Sequence, residues 1–179
     1  MSLTGRRILI WVAPQYEDLE LWYPRIRLEE EGAVVTVAGL DHELCRGKHG
    51  YPCKPDATAD EVDADDFDAL VIPGGFAPDK LRRSARVLDV TRRLFEAGKP
   101  VAFICHAGWV PISARIVKGR RGTSVGAIRD DLENAGLIWE DSPVVVDGNL
   151  ISSRNPGDLP EFMRALIGLM AQRAAAGPS

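Results

Sequence analysis

The stretch Val101-Ala102-Phe103-Ile104-Cys105-His106-Ala107-Gly108-Trp109 runs four apolar residues straight into a cysteine and a histidine. Four consecutive apolar residues without alternation suit a strand buried on both faces, as in a parallel sheet. The residues from Ala107 to Ile116 read as a helix, so Cys105 falls at the turn from strand to helix. That is the geometry of a nucleophile elbow, here without the glycine two places before the nucleophile. A helix amino terminus behind the sulfur supplies partial positive charge and unpaired N–H groups, which favour thiolate over thiol. The alternative is a strand-end cysteine packed as a small hydrophobe, and position alone leaves the two readings open.

Working outward, Ile8 to Val12, Ala69 to Ile72 and Val34 to Ala38 repeat the strand pattern. Leu19, Trp22, Tyr23 and Ile26 follow a helical i, i+3, i+4, i+7 spacing that stops at Gly32, with Pro24 expected to kink or break the helix. Leu81, Ala85, Leu88 and Phe95 line a second helical face that ends at Gly98 and Pro100. Gly126 to Ala135 reads as helix, with Ile128, Leu132 and Ala135 on one side. Val144 to Ile151 reads as a hairpin turning at Asp147-Gly148-Asn149. A last helix starts at Asp158 and carries Leu159, Phe162, Met163, Leu166 and Met170, with a frayed tail expected over 174–179. Alternating strands and helices, with no internal repeat or linker, predict a doubly wound α/β sandwich forming one domain over residues 1–179.

The charge balance narrows the partners. A net charge of −4, with basic residues scattered along helices, argues against nucleic acid or an anionic membrane as the main partner. No apolar run approaches the ~18 residues of a membrane span. The apolar stretch behind Arg6 and Arg7 is too short, and too soon followed by Glu17, Asp18 and Glu20, for a signal peptide. A cytoplasmic location is therefore expected, with the three cysteines as free thiols and no cofactor.

Ligands of an open parallel sheet bind beyond the carboxyl ends of its strands. Three strands exit there into unusual sequence: Ala13-Pro14-Gln15-Tyr16-Glu17, Pro73-Gly74-Gly75-Phe76 and Cys105-His106-Ala107-Gly108. Parallel strands would bring Glu17, the Gly74-Gly75 turn and Cys105 to one crevice. The N–H groups of His106 and Gly75 could then bind an oxyanion. Glu17 could instead be a surface charge complementing the helix dipole. Side chains of consecutive residues at an elbow often diverge, so adjacency does not make Cys105 and His106 a pair. Cys45, His49 and Cys53 lack a fourth partner and match no usual zinc pattern, so no metal is expected. Gly74-Gly75 carries neither a G-x-G-x-x-G pattern nor a Walker lysine, so it is not read as a phosphate loop.

Several of these segments together resemble the PfpI branch of the ThiJ/PfpI family: Tyr16 to Leu21, Gly47 to Tyr51, Phe67 to Gly75, Gly98 to Pro100 with Ile104 to His106, and Lys118 to Ser124. So do Asp130-Asp131, Asn134 to Gly136, Val144 to Gly148 and Ser152 to Arg154. The resemblance implies a flavodoxin-like, mostly parallel sheet sandwiched by helices, with Cys105 as nucleophile. It implies that a protonated glutamate, matched here by Glu17, hydrogen-bonds that cysteine. It further implies oxyanion or substrate contacts at Gly74, Gly75, His106, Ala107 and Trp109. A triad of Cys105, His106 and an acidic residue of a neighbouring subunit is implied too, with Asp79 where relatives carry glutamate. Trp109 departs from relatives that have Gly-Pro-Gln after Cys-His. The activities implied are glyoxalase or deglycase chemistry on small reactive carbonyls, or cysteine peptidase chemistry, in a homo-oligomeric dimer or hexamer. The alternative implied role is an oxidative-stress sensor or chaperone using Cys105 oxidation.

Overall fold

The structure is a computed structural model that describes residues 2–176. The centre of the sheet is formed by β1 (Arg7–Trp11), β6 (Ala69–Ile72) and β7 (Val101–Ile104), in which every residue except Arg7 is buried. Those continuous apolar runs cannot leave a face in water, since each buried Leu or Ile contributes about 1.5–3 kcal/mol. The full sheet has the order β10-β11-β7-β6-β1-β2-β5, with β2 at Val34–Gly39 and β5 at Ala57–Thr58. All its pairs are parallel except β10 (Val144–Asp147) with β11 (Leu150–Ser153), the expected hairpin, whose register sets Asp147 opposite Leu150. Two small ribbons lie outside this sheet: β3 (Cys45–Arg46) with β4 (Pro52–Cys53), and β8 (Arg121–Gly122) with β9 (Ile138–Trp139). The mostly parallel sheet with flanking helices is the fold the sequence predicts.

The helices confirm some expected faces and reverse another. α1 (Asp18–Glu30) runs unbroken through Pro24, and it ends before Gly32, whose φ of +88° suits glycine. It buries Asp18, Glu20, Leu21, Pro24 and Leu28. The stripe expected inside is the outer one, with Leu19 58% and Ile26 59% exposed. The second expected helix is two: α2 (Ala77–Leu81), then α3 (Ala85–Glu96), whose start is capped where the Ser84 hydroxyl accepts the Val87 N–H at 3.3 Å. α3 buries Val87, Val90, Thr91 and Leu94, while Leu88 and Phe95 are only partly covered. α4 (Trp109–Ser113) and α5 (Arg129–Asn134) are short, and α5 buries Leu132 with Ile128 just before it. α6 (Leu159–Ala176) packs Leu159, Phe162, Met163, Leu166 and Met170 inward as expected. It remains helical through Ala176, and the rest of the expected frayed tail, 177–179, lies outside the described residues. Among the described residues no helix is long and apolar enough to cross a membrane.

Candidate active site

β7, β6 and β1 lie side by side and parallel, so their carboxyl ends meet at one edge. Cys105, the first residue past β7, has φ of +62°. A non-glycine residue in this left-handed region costs about 1–3 kcal/mol and persists only where its surroundings hold it. Here the loop after β6 does so. A Cβ on Gly74 would lie 2.9 Å from Cys105 Cβ, so only glycine lets the loop pass this close. Gly75 bridges to Tyr16 after β1, and with φ of +78° a Cβ there would stand 2.5 Å from Gln15 O and Glu17 N. The chain after Cys105 makes a 3-10 turn, Cys105–Gly108, before α4 begins. The sulfur therefore faces individual N–H groups rather than a helix starting at Ala107. Those of His106 and Gly75, the two donors named from sequence, both reach it.

The acid beside the sulfur is Glu20, not Glu17. Glu17 is the N-cap of α1, and its Oε2 accepts the Glu20 N–H at 2.9 Å. One helical turn later Glu20 points inward and is fully buried. Its Oε2 accepts the Gly74 N–H at 2.7 Å, and its carboxyl interacts directly with Cys105. Oε1 is buried and has no hydrogen-bond partner among the described residues. Burial, aided by the Glu17 charge, raises the Glu20 carboxyl to about 8, against the Gly74 hydrogen bond. Glu20 is thus protonated at neutral pH and can donate through Oε1.

Cys105 is 8% exposed, and its thiol is pushed up to about 12, first by burial and next by charged Glu20. The N–H groups of His106 and Gly75 and the Lys48 ammonium act the other way. The two groups are one titrating unit: a proton on Glu20 abolishes the charge repulsion and turns the carboxyl into a donor to the sulfur. His106 does not diverge from its neighbour. Its Nδ1 stands 3.3 Å from Cys105 Sγ, because the left-handed turn swings both side chains to one side. Burial, then Lys48, lowers the His106 pKa, so the ring is neutral and can take up a proton.

Comparison with known proteins gives the family. Residues 6–169 match the sequence profile of the DJ-1/PfpI family. The chain belongs to that family. It is 51% identical over 164 residues to "Deglycase PfpI" of Pyrococcus furiosus, covering 92% of this chain and 99% of the relative. It is 38% identical over 169 residues to "Protein/nucleic acid deglycase 2" of Escherichia coli, covering 93% and 98%. The crystal structure of Drosophila melanogaster DJ-1beta superposes with a TM-score of 0.87 at 31% identity, covering 97% of each chain.

The other residues nominated for this DJ-1/PfpI site fall into place unevenly. Trp109 tilts beside the His106 ring at 5.4 Å and is fixed by its Nε1–H, donated to Asp131 at 2.9 Å. Gly74 spends its N–H on Glu20, so it is not a free oxyanion donor, and Ala107 is a fully buried methyl group that offers no surface to a substrate. Asp79 on α2 pairs with Arg83 just beyond it at 2.6 Å, and among the described residues no hydrogen bond or ion pair joins it to His106. Cys45 and Cys53 face each other across β3 and β4, whereas His49 reaches toward Glu17, so the three do not converge. Sequence reasoning missed Glu20 and Lys48. Glu20 lies with Asp18 on the alternative stripe of Leu21, Pro24 and Leu28, which was the signal for it, while Lys48 comes from the distant β3–β4 turn and carries no local signal.

Proposed function

We propose that this chain is a Cys105-dependent enzyme that converts reactive α-oxoaldehydes, free or as adducts on proteins and other groups, to hydroxy acids. The observation that carries it is the strained Cys105, 3.3 Å from a neutral His106 and electrostatically coupled to the buried, protonated Glu20. The Cys105 thiol first gives its proton to water, and the thiolate then attacks the aldehyde carbon. An S–C bond forms, and the carbonyl electron pair becomes an alkoxide protonated by Glu20, giving a hemithioacetal. His106 removes the proton from that carbon while water protonates the neighbouring ketone oxygen, giving an enediol; His106 then returns its proton to the former ketone carbon as the hydroxyl on the sulfur-bearing carbon gives its proton back to Glu20, leaving a thioester. Water hydrolyses the thioester, releasing hydroxy acid and free Cys105, so methylglyoxal plus water gives lactate. An adduct follows the same route after its own thiol or amine leaves. The names of the P. furiosus and E. coli relatives favour adducts as substrates. Lactate release from methylglyoxal and from its N-acetylcysteine hemithioacetal tests the proposal. Wild type should turn over both, and Cys105→Ser neither; equal rates for the two proteins would refute it.

A homo-oligomer belongs to the same reading. Asp79 does not meet His106 in its own chain, and α1 leaves Leu19 and Ile26 outside. An Asp79 that orients His106 of a second subunit would reconcile the two. Mixing inactive Cys105→Ala and Asp79→Ala proteins should then restore part of the activity, and no recovery despite demonstrated subunit exchange would place the whole site in one chain.

A further inference from the structure

Outside the reacting centre, Glu17, Asp18 and His49 lie together in a groove of about 710 Å³ that is otherwise lined by Trp22, Ile26 and Tyr51, among others. One ligating atom from each of the three lies within 4.8 Å of the others. Glu17 is 3% and Asp18 9% exposed. Two adjacent buried carboxylates are costly without a cation. The one ion pair they make among the described residues is Glu17 Oε1 with His49 Nε2, at 3.8 Å, too far for a hydrogen bond. Glu17 Oε2 is engaged by the Glu20 N–H, while Oε1 receives no hydrogen bond among the described residues and aims at the imidazole.

The surroundings fix this arrangement. Asp18 accepts the N–H groups of His49 and Tyr51, each at 2.9 Å, leaving a lone pair on each oxygen. The loop lies so flat on that carboxylate that a Cβ on Gly47 would come within 2.3 Å of it. The backbone of His49 is thereby tied to the start of α1, while its side chain stays 70% exposed and can turn. Ligands at about 2.0–2.2 Å from a tetrahedral ion lie about 3.3–3.6 Å apart, and rotation of His49 can bring its nitrogen that close to the carboxylates. One imidazole with two carboxylates suits the zinc class rather than calcium or magnesium, which take oxygen alone.

We propose that Glu17, Asp18 and His49 bind one divalent transition-metal ion of the zinc class, its remaining coordination positions opening into the groove. The test is titration with Co2+, followed by visible absorption, in wild type and in Cys105→Ala. One equivalent per chain should bind in both, with d–d bands of a nitrogen and oxygen site and no near-ultraviolet thiolate band. His49→Ala, at an exposed position that leaves folding intact, should weaken binding by more than the about 10–100-fold that follows loss of a supporting second-shell partner. Glu17→Gln should weaken it at least about tenfold by the same comparison. Absence of binding, undiminished binding in His49→Ala, or a thiolate band that assigns the ion to Cys45, Cys53 or Cys105 would each overturn the proposal.

Discussion

Replacing Glu20 by glutamine should change the pH dependence of stability more than stability at any one pH. Glu20 is fully buried, and its carboxyl is raised from 4.5 to about 8, chiefly by burial. A folded-state pKa above the unfolded value means that the folded chain holds the extra proton between the two. Stability from this group is therefore complete below about pH 4.5 and falls as pH rises toward 8, by about 1.4 kcal/mol per pH unit. Across the window this amounts to roughly 5 kcal/mol, an upper bound because water and side-chain relaxation soften buried charge, but comparable with the whole stability of many domains. Glutamine does not titrate, so Glu20→Gln should lack this slope and gain on wild type progressively up to pH 8, after which the two should run parallel. Urea denaturation followed by tryptophan fluorescence at pH 5 to 9 measures it directly. Repeating the pair in a Cys105→Ala background assigns the slope to Glu20 rather than to the sulfur. Parallel profiles over the whole range would refute the argument that burial holds Glu20 protonated.

Glu17→Ala removes an N-cap, so it should cost about 0.5–2 kcal/mol in urea denaturation, while shifting the alkylation profile of Cys105 against pH less than Glu20→Leu does. Gly75→Ala puts a Cβ 2.5 Å from two backbone atoms at φ +78°, so its thermal midpoint should drop by about 10 °C or more, or the protein should fail to fold. Asp79→Asn should leave stability within the about 0.5 kcal/mol of an exposed i,i+4 pair. Its lactate release from methylglyoxal should nevertheless fall at least about tenfold, as expected of a residue that orients a catalytic base.

Apolar patterning was enough to settle the sheet and the edge where chemistry could gather. The runs at Ile8, Ala69 and Val101 are too apolar for any place but a two-sided core, and parallel strands of that kind deliver their carboxyl ends to one edge. Cys105 and Gly75 were therefore placed together from pattern alone. Tertiary structure decided which carboxylate joins them. α1 has two apolar stripes, Leu19-Trp22-Tyr23-Ile26 and Leu21-Pro24-Leu28, and helical spacing cannot say which one meets the sheet. Packing chose the second, which carried Glu20 inward and left Glu17 as a cap. The pairing of Cys105 with His106 likewise depends on a left-handed φ at Cys105, enforced by the close passage of Gly74 from a strand some thirty residues earlier. Local sequence sets preferences of a kcal/mol or so, and contacts between distant segments outweighed them at the two positions on which the chemistry depends.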